Sequence, residues 1–94
     1  MLQWDYKKPG EPDDRDLDWS LRLDAGDIIQ SSTWAIVGTP GSLTLSGSSH
    51  TDTRTKIILT GGRDGATYKL QNTITVRDGA SPLIEYVSID IRDI

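Results

Sequence analysis

Ninety-four residues, 35% of them hydrophobic and none of them Phe, make one domain, which excludes a two-domain enzyme built around an interdomain cleft. Fourteen acidic against ten basic residues leave a net charge of −4, which disfavours nucleic-acid phosphates and anionic lipid as partners. The absence of cysteine removes disulfides, thiolate metal sites and thiol nucleophiles, and suits a reducing compartment.

The opening, Met1 to Pro9, has no apolar stretch of signal-peptide length, and nothing further on approaches a membrane span, so a soluble, unprocessed chain is expected. Residues 5–16 combine Lys7, Lys8, Pro9, Gly10 and Pro12 with Glu11, Asp13, Asp14 and Asp16. Such a segment buries too little apolar surface to order itself, so residues 1–16 read as a flexible amino-terminal arm anchored by Trp4 and Tyr6. The domain proper is then 17–94. From Leu17 the text alternates: Leu17, Trp19, Leu21 and Leu23 on one side, Asp18, Ser20 and Arg22 on the other, which predicts an amphipathic strand.

Asp24-Ala25-Gly26-Asp27 is turn-forming. Ser32 to Val37, with Trp34 and Ile36 on one face, predicts a strand that Gly38-Thr39-Pro40-Gly41 ends. Leu43 and Leu45 belong to a short strand that Ser46-Gly47-Ser48-Ser49 closes, and Thr53 to Thr60, rich in Thr and Ile, to another. After Gly61-Gly62, the residues Asp64, Ala66, Tyr68 and Leu70 stand at alternate positions, and the pattern continues through Ile74 and Val76 with the polar Asn72 between them. Asn72 requires partners if buried. A tyrosine near the start of the sixth strand whose hydroxyl folds back on the preceding corner, with a core residue two positions later, is a mark of immunoglobulin-like sandwiches, and Tyr68 and Leu70 fit it. Arg77 to Ala80 reads as a hairpin connection, and Leu83 to Ile91 as the last strand, with Val87, Ile89 and Ile91 inward. The fold class is therefore all-β, an immunoglobulin-like β-sandwich of six or seven antiparallel strands.

Chemistry is sparse in this pattern. His50 lies near Ser49 and Asp52, but adjacent residues on an extended chain face opposite ways and no G-x-S-x-G elbow is present, so it reads as an exposed loop histidine and not as a triad member. Asp13, Asp14, Asp16 and Asp18 suggest oxygen ligands for calcium; the glycine and terminal Glu of an EF-hand loop are missing, and a solvated acidic segment accounts for them. Trp19 and Trp34 sit on apolar faces and read as core. Trp4 precedes the polar arm and is assigned to contact with a neighbouring subunit.

In their order and spacing, Trp4-Asp5-Tyr6-Lys7-Lys8-Pro9, Leu17 to Leu23, Gly26 to Ile29, Ser31 to Trp34, Leu59 to Gly62, Gly65 to Tyr68 and Asn72 to Thr75 resemble small proteins encoded among the head and tail genes of tailed bacteriophages and prophages. These are described as fiber-tail adaptor or head-tail junction components. From Arg77 onward the likeness is only a general strand pattern. The resemblance implies a non-enzymatic virion structural component, made in the bacterial host cytoplasm, that contacts other virion proteins in several copies, self-association in a ring included. It implies no catalytic residue, cofactor, nucleic acid, membrane or small-molecule substrate. A rival reading is a carbohydrate- or receptor-binding module with exposed aromatic residues. The residues assigned to contact or architecture are Trp4, Tyr6, Trp19, Trp34, Asp64 and Tyr68.

Overall fold

A computed structural model describes residues 2–94. The described chain is all-β, with strands β1 (Leu2–Gln3), β2 (Asp13–Asp18), β3 (Ile29–Val37), β4 (Leu43–His50), β5 (Arg54–Gly61), β6 (Thr67–Val76) and β7 (Leu83–Asp90). They form a four-stranded sheet in the order β1-β7-β6-β3 and a three-stranded sheet in the order β2-β5-β4. All the neighbouring pairs are antiparallel except one. β1 runs parallel with β7, Leu2 beside Val87 and Gln3 beside Ser88.

The period-two pattern decides which faces meet. On β6, Tyr68, Leu70, Asn72, Ile74 and Val76 are all buried while Lys69 is exposed. Val87 and Ile89 on β7, Ile57 and Leu59 on β5, Leu17 on β2 and Leu43 on β4 face them across the interior, together with Trp19 and Ile91. Each such aliphatic side chain withdrawn from water contributes about 1.5–3 kcal/mol, which is what holds the two sheets together.

Two expectations from the sequence change. The alternating run from Leu17 to Leu23 is not a strand throughout. β2 ends at Asp18, whose carboxylate accepts the Ser20 N–H at 2.9 Å, and the Trp19 carbonyl accepts the N–H of Arg22 at 2.8 Å and of Leu23 at 3.2 Å. Trp19 is thereby dropped into the core, while Leu21 projects fully into solvent. Local side-chain capping by an aspartate offers the backbone an alternative to the ladder, and here it wins.

The boundary drawn at residue 17 falls inside β2. Asp13 to Asp16 already pair with Leu59 to Lys56 of β5. The segment before them is laid along the sandwich: Trp4 N–H bonds to the Ser88 carbonyl, Lys7 N–H to the Asp90 carbonyl, and Arg92 N–H to the Lys7 carbonyl. Arg15 fastens it from the other sheet, donating to the carbonyls of Asp5 at 2.8 Å and Tyr6 at 3.1 Å. Composition argued against self-ordering. Backbone pairing with strands already in place supplies the partners that the segment lacks by itself.

Candidate functional site

Four groups fix the geometry of the sandwich, and four strand edges are what it offers to other molecules. The central polar group is Asn72, completely buried on β6. Its side-chain oxygen accepts the Trp19 indole N–H at 2.9 Å and the Thr55 hydroxyl at 2.6 Å, and its nitrogen donates to the Ser32 hydroxyl at 3.0 Å and the Thr33 carbonyl at 2.9 Å. With every donor and acceptor of the amide used, it ties β3 and β6 to β5 in the opposite sheet.

The second group is Asp27, at the end of the turn in which Gly26 takes φ of +80° and the Asp27 N–H bonds the Asp24 carbonyl at 2.9 Å. Its carboxylate accepts the N–H groups of Ile28 (2.9 Å), Asp78 (3.0 Å) and Gly79 (2.7 Å), clamping the β2–β3 and β6–β7 connections together. Burial alone works against ionisation of Asp27, but those three N–H groups and the nearby Arg77 outweigh it and hold the carboxyl below its ordinary value. A small pocket of about 110 Å³ beside the clamp is lined by Arg22, Leu23, Asp24, Val76, Ala80 and Leu83.

Lys7 is the third. It is 1% exposed, and its ammonium donates to the carbonyls of Gly61 at 2.6 Å and Lys8 at 2.8 Å. Burial pushes its pKa below the usual lysine value, with Asp13 and Glu11 pulling the other way. The Gly61 carbonyl belongs to a turn where φ is +79° and where a Cβ would run into the Ser42 carbonyl oxygen. Fourth comes Tyr68, whose hydroxyl accepts the Arg63 N–H at 3.3 Å, back across the corner that precedes β6. Asp64 lies in that corner and not on the strand, and its carboxylate accepts the Asp93 N–H at 3.1 Å.

The three Trp do not form an exposed row. Trp19 is 1% exposed. Trp4 and Trp34 are half-buried and packed on each other, ring centroids 5.8 Å apart, with the Arg15 guanidinium 6.0 Å from the Trp4 ring. Trp4, assigned from the sequence to a neighbouring subunit, is thus engaged within its own chain. Tyr6 remains exposed. His50 is exposed at the end of β4, its Nδ1 3.1 Å from the Thr51 carbonyl oxygen. The acids of β2 face arginines: Asp13 pairs with Arg15 at 2.8 Å, Asp16 with Arg54 at 3.0 Å and Asp18 with Arg54 at 3.6 Å. Among the described residues, no three His, Cys, Asp or Glu side chains converge to hold a metal ion, and no helix is long and apolar enough to cross a membrane.

Sequence reasoning missed Lys7 and Asp27 as anchors. Lys7 carries no local signal, since its carbonyl partner on Gly61 is 54 positions away. Asp27 had one, an acid closing a glycine turn immediately before a strand.

The described edges are chemically unlike one another. β2, at one margin, reads Asp-Asp-Arg-Asp-Leu-Asp. β3 and β4 at the other margin, Ile29–Val37 and Leu43–His50, carry neither acid, Lys nor Arg. A family model described as podophage GP4 fiber-tail adaptor protein gp77 matches residues 7–89. The chain belongs to that family of phage tail adaptors. The matched span starts at the buried Lys7, ends within β7 at Ile89 and contains all of β2 to β6, so both margins lie inside it. A search of curated proteins finds no match.

Proposed function

We propose that the protein is a non-enzymatic joining piece of a phage virion, holding a fiber component to the tail by protein–protein contacts. The observation that carries this reading is the pair of unlike margins on one sandwich 42 Å long. A piece that joins two different neighbours needs two surfaces of different chemistry, and an acidic margin at β2 opposite a charge-free margin at β3 and β4 provides them. The acidic margin is assigned to a basic surface on another virion protein, since complementary charge selects the partner and speeds the encounter.

The sandwich is further inferred to be immunoglobulin-like. What supports this is the strand order: β2-β5-β4 in one sheet and β7-β6-β3 in the other correspond to B-E-D and G-F-C. A tryptophan on the third strand and the Tyr68 hydroxyl bound across the corner agree with it.

The role is tested by reconstitution. Particles lacking this protein are expected to carry no fibers and to regain them when the purified chain is added, with the chain co-sedimenting with tails and with the fiber protein separately. Full fiber attachment without the chain would overturn the reading.

A further inference from the structure

Leu21 is 99% exposed, whereas the exposed apolar side chains carried on strands, Leu2, Val37, Ile84 and Tyr86, are 37–47% exposed. A half-covered apolar side chain on a surface is ordinary. The turn that carries Leu21 is fixed on both sides of it. Before it, Asp18 accepts the Ser20 N–H, the Trp19 N–H bonds to the Thr53 carbonyl at 2.8 Å, and the Trp19 indole is bound by Asn72. After it, the Arg22 guanidinium lies 5.4 Å from the Trp19 ring and donates to Glu85 at 2.6 Å, while the N–H groups of Arg22 and Leu23 return to the Trp19 carbonyl. The turn thus holds a leucine out in water, and a group held in place beforehand loses little freedom when a partner covers it. Its surroundings are acidic. Between Asp13 and Asp27 six acids stand against two arginines. Asp14, Asp16 and Asp18 are exposed at alternate positions of β2, and Leu21 follows three residues after Asp18. Asp24, exposed three residues further on, forms no ion pair among the described residues.

We propose, resting on the joining role given above, that Leu21 is the apolar anchor of the acidic contact: the other virion protein receives it in an apolar recess ringed by Lys or Arg that face Asp24 and the carboxylates of β2. An apolar side chain at the centre of a contact supplies most of its strength, and charges at the rim select the partner and speed the encounter. The acids decide the occupant. A bilayer would accept a leucine, but the carboxylates around this one would be pressed against it without basic partners, and anionic lipid would repel them. A second copy is disfavoured as well. The recess that this chain offers beside the turn is lined by Asp24 and Asp27 together with Arg22, which Glu85 already engages, so docking Leu21 there would bring acid against acid.

Because Leu21 is almost wholly in solvent, Leu21→Ala should leave the far-UV spectrum and the melting midpoint unchanged. Its co-sedimentation with particles lacking this protein is expected to be weaker than that of wild type by about thirtyfold, equivalent to about 2 kcal/mol, at 50 and at 300 mM salt alike, since what is lost is apolar. Leu21→Met, which keeps an apolar side chain of similar volume, should retain most of the binding. Asp24→Asn should weaken binding severalfold at 50 mM salt and have little effect at 300 mM, where exposed charges are screened. Leu21→Ala binding as tightly as wild type, while Asp14→Lys, Asp16→Lys still weakens it, would overturn the anchor and leave the joining role standing. A wild-type chain that does not bind the particles would overturn both. Asp24→Asn binding as tightly as wild type at low salt would overturn the basic ring. Flotation with phosphatidylcholine vesicles, or a doubling of mass in light scattering, that is lost in Leu21→Ala would overturn the proposal by assigning the side chain to lipid or to a second copy.

Discussion

Among single residues, the widest contrast is between two tryptophans. The Trp19 indole N–H is bound by Asn72 and by Thr55 at 3.3 Å, whereas Trp34 Nε1 is buried without an acceptor. Removing a partner from a buried polar group costs more than removing a group that had none. Asn72→Leu strips partners from Trp19, Thr55, Ser32 and the Thr33 carbonyl at once, and is expected to cost about 3 kcal/mol or more, a melting midpoint lower by about 12 °C or more. Trp34→Phe removes no hydrogen bond and should cost under about 1.5 kcal/mol in the same thermal scan. If the two variants melted together, the Asn72 network would carry no special weight. Tyr68→Phe, which deletes the single bond to Arg63, belongs between them at about 0.5–1.5 kcal/mol.

For the elements, connections decide what strands cannot. Asp27 clamps two loops through backbone N–H groups, and its carboxyl titrates below the ordinary aspartate value when folded. A group depressed in this way adds stability above its unfolded pKa, about 4, and that stability is lost as pH falls through the folded value. Urea denaturation at stepped pH is therefore expected to show Asp27→Asn less stable than wild type at neutral pH, with the gap closing below about pH 4 as the wild-type carboxyl protonates. A gap constant down to pH 2 would contradict the clamp. Strands β3 and β5 to β7 were legible because their apolar residues mark a half-buried sheet locally, whereas β4 runs on through Ser46–Ser49 to His50, a stretch whose Ser and Gly read as a turn. The run after Leu17 misled, because alternating apolar residues persist through a turn that the Asp18 carboxylate nucleates. The amino-terminal segment misled for a different reason: its order comes from carbonyls and amides of β7 and from Arg15, none of which is visible in its own composition.

On the scale of the whole molecule, the distribution of charge matters more than its total. The net value of −4 says only that anionic partners are disfavoured, and the charge-free run from Ile28 to Thr51 was in plain view without its meaning. That meaning appears once the topology places β3 and β4 at one margin and the aspartates of β2 at the other, a juxtaposition that no local window contains. Asp14 is exposed on β2 and makes none of the ion pairs that engage Asp13, Asp16 and Asp18. The double variant Asp14→Lys, Asp16→Lys reverses the margin at the cost of one exposed ion pair and of a lysine set opposite Lys56 on β5, each about 0–1 kcal/mol in fold stability, so its melting midpoint should fall by no more than about 10 °C. Co-sedimentation with fiberless particles is expected to weaken about tenfold, equivalent to about 1.4 kcal/mol. Wild-type binding should itself weaken as salt is raised from 50 to 300 mM, because exposed charges farther apart than a Debye length are screened. Undisturbed binding to particles would move the contact away from β2.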